Sequence, residues 1–331
     1  SDRTPKHILL IRTDRFGDLL MTLPVVRRLR SNFPQAKITV LCASVNEPLL
    51  HYHLDITDIQ TVHPDHLKFK NLPAFFKKVI GMRPDCVVMP QSNKWYHLAA
   101  FLSGASIRIG FNRKWGFLLT NSISDTKAES GLHEIDSNMK LLDLLCAKRW
   151  DKTTDLGFET CEESLEIPER LGIRPEKISI AFHMSSSNPV KQWPIGSFKK
   201  VMDHFLKRGR YQIILVGSEK TDEMHRLLNF NPEAHVVDLL GKTNFKELAL
   251  VLRSVNCLVS LDSGPLHLAW MQGTPVVGLF IKGAVGSNPT RWGVYPGLVP
   301  NKQFFDSAEA LVPSMVIEAI EEIVTVKRSD T

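Results

Sequence analysis

Short apolar runs, each followed by an amphipathic stretch, constrain the fold of this chain more than any other feature. In the first half such runs cover residues 7–12, 37–42, 85–89 and 107–111, and residues 134–147 have helical periodicity. Strands that alternate with helices build parallel βαβ units, which bind ligands at the carboxyl ends of the strands. The first half is therefore predicted to be a parallel α/β domain.

The same alternation restarts after a polar, acidic stretch. Predicted strands cover residues 177–182, 211–216, 234–237, 257–261 and 275–280, and predicted helices cover 195–208, 221–228, 245–254, 265–271 and 306–326. This pattern predicts a first domain at residues 1–150, a linker at 151–176 and a second domain at 177–305. A C-terminal helix is predicted within 306–331, where it can pack back on the first domain. Two Rossmann-like domains with a cleft between them are expected.

Composition excludes several classes of protein. Of 331 residues, 43% are hydrophobic and 23% charged, which is ordinary for a globular protein, and no apolar run nears the roughly 18 residues of a membrane span. The polar N-terminus lacks an apolar signal-peptide core. The cysteines are scattered without a C-x-x-C pair, which favours reduced thiols in the cytoplasm: Cys42, Cys86, Cys146, Cys161 and Cys257.

Charge is distributed unevenly. Residues 1–150 hold 21 Lys and Arg against 13 Asp and Glu, a balance of +8, whereas the remainder holds 20 against 22, a balance of −2. The first domain is therefore expected to attract an anionic partner such as an acidic glycan, a phospholipid surface or nucleic acid, unless its basic face is only solvated. Aromatic residues are not interleaved with the basic patches, which argues against binding of single-stranded nucleic acid.

The first candidate motif, residues 12–18, joins the first strand to a helix predicted over 18–32. Gly17 permits close backbone approach, and the carboxylate of Asp18 suits a helix N-terminus. Asp18 is either a simple helix cap or a functional carboxylate. Pro24 either kinks this helix or delays its start.

Residues 185–194 form the second motif, directly after the first strand of the second half. The hydroxyls of Ser185 and Ser187 together with Lys191 suit a phosphate, which needs several donors and a compensating charge. The alternative is a polar loop in which Lys191 points to water and Trp193 packs on the core.

The third motif is a helix start, in which Asp262, Ser263 and Gly264 precede Pro265. Free N–H groups there can hold a diphosphate, and Asp262 is expected to cap backbone N–H groups or bind sugar hydroxyls. His267, one turn later, is a core residue or a site residue.

A weaker fourth motif follows the strand at 211–216, where Gly217 and Ser218 precede Glu219. A carboxylate beyond a strand end commonly binds a ribose diol, and Asp222 and Glu223 compete with Glu219 for this role. Metal-binding motifs such as H-E-x-x-H and D-x-D are missing, as are G-x-S-x-G and a Walker A loop, so no metal or other cofactor is expected.

Four segments together resemble the heptosyltransferase family (glycosyltransferase family 9). They are ILLIRTDRFGDLLMTLPVV at 8–26, KQWP at 191–194, the long segment at 239–280 that contains LDSGPLHLAW, and RWG at 291–293. The likeness runs through nearly the whole chain, and the long segment is its most specific part.

This resemblance implies a GT-B fold, in which an acceptor-binding and a donor-binding Rossmann-like domain face each other across a cleft. It implies inverting, metal-independent transfer of heptose from ADP-L-glycero-D-manno-heptose to the acidic inner core of lipopolysaccharide. Asp18 matches the family's general base, Lys191 the lysine that neutralises the donor phosphates, and Asp262–Gly264 a donor-binding segment.

Candidate acceptor residues are Arg15, Arg108 and Arg113, and the donor-binding set is Ser185, Ser187, Lys191, Gly217, Ser218, Glu219, Asp262, Ser263, Gly264 and His267. The enzyme is expected in the cytoplasm, in peripheral contact with the inner membrane and without nucleic acid. The loops at 183–187 and 281–289 depart from the family pattern. A related transferase with another nucleotide sugar, or a catalytically silent nucleotide-sugar-binding protein, therefore stays an alternative.

Overall fold

The structure is a computed structural model that describes residues 4–51, 53–127, 129–152, 166–186, 188–218, 220–231, 233–283 and 286–329. The chain divides into two compact units, residues 1–159 and 160–331. This division falls inside the segment predicted as a linker. That segment also contains a short helix, Ile167–Arg170, at its C-terminal end.

The first unit is a six-stranded parallel sheet with helices. Its described strands are β1 His7–Ile11, β2 Lys37–Ala43, β3 Asp58–Val62, β4 Cys86–Met89, β5 Ile107–Asn112 and β6 Asn121–Ser124. Its described helices are α1 Phe16–Leu20, α2 Leu23–Asn32, α3 Glu47–Leu50, α4 Leu72–Met82, α5 Lys94–Leu102 and α6 Glu134–Leu142. The strand order is β3-β2-β1-β4-β5-β6, and the four central strands are buried on both faces.

The second unit repeats this plan. Its described strands are β7 Ile178–His183, β8 Tyr211–Val216, β9 Val236–Asp238, β10 Cys257–Leu261, β11 Val276–Ile281 and β12 Asn301–Asp306. Its described helices are α7 Ile167–Arg170, α8 Ile195–Leu206, α9 Asp222–Leu227, α10 Phe245–Ser254, α11 Gly264–Met271, α12 Pro289–Trp292 and α13 Pro313–Ser329. The strands are parallel, in the order β12-β11-β10-β7-β8-β9.

Both sheets reverse their strand order at a central pair, β1 and β4 in the first unit and β7 and β10 in the second. At such a switch point the connections leave to opposite sides and open a crevice beyond the strand ends. The motifs at 12–18, 185–194 and 262–267 follow β1, β7 and β10. The strand order therefore places each of them at a switch point.

Two local differences from the sequence prediction have clear causes. The helix predicted over 18–32 is two helices, because α1 ends at Leu20 and Pro24 lies in the first turn of α2, where a missing N–H is tolerated. The helix predicted from residue 306 starts only at Pro313, since residues 301–306 pair with β11 as an edge strand. The apolar face of α13, including Val316 and Ile320, packs in the core of the second unit.

The four cysteines in the described part of the chain are buried free thiols. Burial raises the pKa of Cys42 to about 12, so this thiol is unreactive. Within the described ranges, no helix is long and apolar enough to cross a membrane.

Candidate active site

A buried arginine organises the end of β1. The Arg12 side chain is only 3% exposed, and its Nε donates to Asp14 Oδ1 while its Nη2 donates to Asp18 Oδ1, each at 2.8 Å. Glu134 Oε1 lies 3.5 Å from the same Nη2. One guanidinium therefore fixes two carboxylates of the loop and approaches a third on α6.

A second cation completes this cluster. Lys127 Nζ donates to Glu134 Oε1 at 2.7 Å, and also to Asn138 Oδ1 and the Pro90 carbonyl. Glu134 is 1% exposed, so its charge needs such a partner. Three carboxylates and two cations thus form one charge network at the first switch point.

Asp18 is not the helix cap that the sequence left as one alternative. The N-cap of α1 is Arg15, and Asp18 lies in the first turn, where its negative charge interacts favourably with the helix dipole. Its side chain is 18% exposed and accepts from Arg12. The carboxylate is therefore held in one orientation with one edge open to solvent.

Asp14 titrates differently from an ordinary carboxyl. Burial raises its pKa to about 6, attraction to Arg12 opposes this rise, and repulsion from Asp18 adds to it. The three carboxylates in turn raise the pKa of Arg12 despite its burial. The guanidinium therefore stays charged.

A hydrogen-bonded chain fixes the loop from its other side. His66 Nδ1 donates to the His63 carbonyl at 2.8 Å, which leaves Nε2 to accept from the Tyr96 hydroxyl at 3.0 Å. Tyr96 in turn contacts the hydroxyl of Thr13, and both Tyr96 and His66 are buried. Burial also lowers the pKa of His66, which keeps it neutral in this role.

The three predicted acceptor arginines have different environments. Arg15 is exposed beside Asp14. Arg113 is 63% exposed, and its Nη1 lies 3.5 Å from Asp125. Arg108 is already committed, since its Nε and Nη1 donate to the carbonyls of Leu118 and Ala105. A structural role thus accounts for Arg108, whereas Arg15 and Arg113 stay accessible.

In the second unit, Lys191 does not point to water. Its Nζ donates to Asp262 Oδ2 at 2.5 Å, and the two side chains are only 12% and 6% exposed. Asp262 therefore binds Lys191 instead of capping backbone N–H groups as the sequence suggested. An ammonium has three donor positions, so this bond leaves donors for an anionic ligand.

The loop that carries Lys191 is anchored by its neighbours. Trp193 is buried, packs edge-on against Phe198 at 4.8 Å and donates from Nε1 to the Leu311 carbonyl. Gln192 Nε2 donates to the Ser186 carbonyl at 3.0 Å. The core packing of Trp193 expected from the sequence thus serves to position the lysine.

His183, at the end of β7, connects the two sides of the second switch point. The hydroxyls of Ser260 and Ser263 both donate to the Leu261 carbonyl, and both lie within 3.3 Å of His183 Nδ1. Nδ1 must therefore carry the hydrogen, and Nε2 accepts from Ser185 at 3.3 Å. Burial lowers the pKa of His183 to about 4, so the ring is neutral at pH 7.

Gly217 is required by its surroundings. Its φ of +136° is unfavourable for other residues, and a Cβ there would meet His183 Cδ2 at 3.0 Å and Ser185 Oγ at 3.4 Å. The structure thus brings Gly217 against His183 and Ser185, while Ser218 is exposed beside it. Two predicted donor-binding residues, Ser187 and Glu219, lie outside the described residues.

The N-terminus of α11 faces the same switch point. Gly264 starts the helix, and Ser263 is its N-cap without a side-chain capping bond. His267 is buried, with Nε2 4.0 Å from Asp262 Oδ1. The first N–H groups of a helix have no intrahelical partner and lie at its positive end, so they can bind an anion together with Lys191.

Three important residues were not among the predicted site residues. Arg12 and His183 end apolar strands, where a polar residue is a usable signal of a site. Glu134 gives no such signal, because only the fold brings α6 to Arg12. Within the described ranges, no three His, Cys, Asp or Glu side chains are grouped as metal ligands would be.

Comparison with known proteins agrees with this architecture. Lipopolysaccharide heptosyltransferase 3 of Escherichia coli K12 is 24% identical over 277 residues, covering 80% of this chain and 79% of that protein. Lipopolysaccharide core heptosyltransferase OpsX of Haemophilus influenzae is 24% identical over 306 residues, covering 89% and 83%.

Solved structures share the fold. A glycosyl transferase family 9 protein from Veillonella parvula superposes with a TM-score of 0.82 at 23% identity, covering 97% of each chain. Escherichia coli heptosyltransferase WaaC with ADP superposes with a TM-score of 0.75 at 16% identity, covering 96% and 99%. The predicted GT-B class, with two Rossmann-like units, is confirmed.

The model of glycosyltransferase family 9 (heptosyltransferase) matches residues 85–322, which include residues 85–159 of the first unit and nearly all of the second unit. The chain therefore belongs to glycosyltransferase family 9, the heptosyltransferase family, and is a glycosyltransferase.

Proposed function

We propose that this enzyme transfers heptose from ADP-L-glycero-D-manno-heptose to the acidic inner core of lipopolysaccharide, with inversion and without a metal ion. The names of the relatives, which are lipopolysaccharide heptosyltransferases, support lipopolysaccharide as the acceptor. The structure of WaaC with ADP supports ADP as the nucleotide of the donor. The observation that carries the proposal is the pair of charged sites at the switch points: Asp18 held by Arg12, and Lys191 held by Asp262.

The second unit is assigned to the donor. As the glycosidic bond to ADP breaks, negative charge builds on the leaving diphosphate. Lys191 and the N-terminus of α11 supply fixed positive charge at this point, which is the electrostatic role that a metal ion plays in other transferases. Asp262 is held against Lys191 through Oδ2, its Oδ1 lies 4.0 Å from His267 Nε2, and we assign this oxygen to a hydroxyl of the donor sugar.

The first unit is assigned to the acceptor. A hydroxyl that attacks the anomeric carbon must lose its proton as the new bond forms, and a positioned carboxylate accepts it. Asp18 fits this role, because Arg12 orients the carboxylate and solvent reaches one edge of it. A single displacement with one base and no enzyme nucleophile inverts the anomeric centre.

The acceptor carries carboxylates and phosphates, which fits the +8 balance of residues 1–150. Arg15 and Arg113 are the exposed candidates for binding it, whereas Arg108 is held by backbone carbonyls. The enzyme is proposed to work in the cytoplasm at the membrane face, without a nucleic-acid partner.

Calorimetric titration with ADP, UDP and GDP tests which nucleotide the enzyme recognises. We expect tight binding of ADP and weak binding of UDP and GDP. A preference for UDP would contradict the ADP-heptose assignment without affecting the fold. Product analysis with ADP-heptose and a heptose-free core acceptor then tests transfer. Activity that persists in excess EDTA is expected, while a loss restored by Mg²⁺ or Mn²⁺ would overturn the role given to Lys191 and α11.

A further inference from the structure

Residues 66–124 have an extreme charge balance. They contain nine Lys or Arg and a single acidic residue, Asp85. The Asp85 carboxylate is bound by the backbone N–H groups of Lys6 and His7, at 2.9 and 3.1 Å. Two of the nine cations pair with acidic residues that border the segment, Lys68 with Asp65 and Arg113 with Asp125, so an excess of positive charge remains.

The same segment exposes apolar side chains. Of the twelve large hydrophobic side chains that are exposed among the described residues, six belong to it: Phe69, Ile80, Phe101, Leu102, Trp115 and Phe117. Phe117 is 80% exposed and Trp115 40%. Apolar groups gathered on a protein surface generally mark a binding face.

Cation–ring contacts pair two of these side chains with basic residues, and both pairs border the turn at residues 114–118. Lys94 Nζ lies 5.6 Å from the Trp115 ring, and Arg108 lies 5.6 Å from the Phe101 ring while donating to the Leu118 carbonyl at 2.8 Å. We define the aromatic–basic surface as Lys94, Phe101, Arg108, Lys114, Trp115 and Phe117.

The turn that presents Phe117 is held in a strained conformation. Lys114 and Trp115 both have positive φ values, 49° and 70°, although neither is glycine. His97, which is fully buried, donates from Nδ1 to the Lys114 carbonyl at 3.1 Å, and the Trp115 ring packs edge-on against Trp95 at 5.7 Å. Strain of this kind persists where the surroundings enforce it, commonly at functional sites.

We propose that the aromatic–basic surface docks on an anionic lipid bilayer, with Phe117 and Trp115 entering the headgroup–acyl boundary and with Lys94 and Lys114 facing lipid phosphates. Cations beside exposed aromatic rings are the combination that binds such an interface. A soluble acidic ligand would match the cations but would give an 80%-exposed phenylalanine no apolar environment. The inference rests on the proposed function, because it names the residues of its membrane contact.

Flotation of the full chain with vesicles tests this without requiring turnover. Binding to phosphatidylcholine vesicles that contain phosphatidylglycerol is expected, with weak binding to phosphatidylcholine alone and release at high salt. Phe117→Ser should weaken binding about tenfold, since it removes a phenyl group buried on docking. Lys114→Gln should weaken it about fivefold.

Phe305→Ser is the matched control. Phe305 belongs to the second unit, is 44% exposed and has Lys282 Nζ 6.0 Å from its ring, yet it lies outside the surface. Its variant should bind vesicles as the wild type does. Failure of the wild type to bind anionic vesicles, or equal binding by the Phe117 and Phe305 variants, would overturn the proposal.

Two further outcomes separate the alternatives. A lipid-free core oligosaccharide can be added to compete with the vesicles for the protein. If it releases the wild type and Phe117→Ser from the vesicles to the same extent, the surface is a saccharide site and not a bilayer contact, and the docking role is refuted. Intact vesicle binding by a protein that transfers no heptose would refute the proposed function while supporting the docking surface.

Discussion

Replacement of Asp18 by Asn removes both proton acceptance and negative charge, while it keeps the size and position of the side chain. The Asn side chain keeps the size of Asp and an oxygen that can accept from Arg12 Nη2, where the distance is now 2.8 Å. Arg12 keeps Asp14 and Glu134 as counter-charges, so the cost in folding stability should be about 1 kcal/mol, the difference between a charged and a neutral hydrogen bond. Loss of a general base should lower kcat about 10²- to 10⁴-fold.

Asp14→Asn is the control that the structure offers. Asp14 binds the same guanidinium at the same 2.8 Å and is 23% exposed, against 18% for Asp18. It is also the rival base, because its pKa of about 6 lies near working pH, where a base is effective. If Asp18 is the base, Asp14→Asn should lower kcat by less than about tenfold.

The assay is release of ADP at saturating donor and acceptor, with donor affinity from calorimetry and folding from the melting temperature. Both variants should bind donor normally. Equal losses in both variants would show that the charge of the cluster matters and not proton acceptance by Asp18. A large loss in Asp14→Asn alone would move the base to Asp14.

Three further predictions concern the second unit. Lys191→Ala should weaken both ADP affinity and turnover, because the charge of Lys191 already meets the diphosphate in the bound state. The control is Lys199→Ala, which should change neither, since Lys199 pairs with Asp203 on α8. Equal ADP affinities of the two variants would refute the role assigned to Lys191. The pKa of His183 is about 4 in the folded protein and about 6.5 in the unfolded chain. Between these values the unfolded chain binds the proton and the folded protein does not, so the free energy of unfolding should fall as the pH is lowered from about 6.5 to about 4. Urea titrations at several pH values should show that the free energy of unfolding falls less steeply with pH in His183→Gln than in the wild type. The same pH dependence in both proteins would contradict this prediction. Gly217→Ala should unfold at lower temperature than Gly209→Ala, since both glycines have positive φ but only the first Cβ would meet neighbours.

Much of the fold could be predicted from local pattern. The strands β1, β2, β8, β10 and β11 are mostly apolar, because each is covered on both faces, and such runs can be recognised without any knowledge of neighbouring strands. Strands at the sheet edges were harder. The edge strands β3, β6 and β12 carry polar residues, so the sequence pattern does not predict them, and it places residue 306 in the following helix.

The sequence by itself determined the parallel α/β class, the family, and the positions of Asp18 and Lys191 just after strands, since these depend on local order along the chain. The tertiary structure alone decided what those side chains contact. Arg12 meets Glu134 across 122 positions of sequence, and Lys191 meets Asp262 across 71, because the strand order brings the ends of β1, β7 and β10 to switch points. Ion pairs and shifted pKa values arise from distance and burial in space, which no local pattern of residues contains.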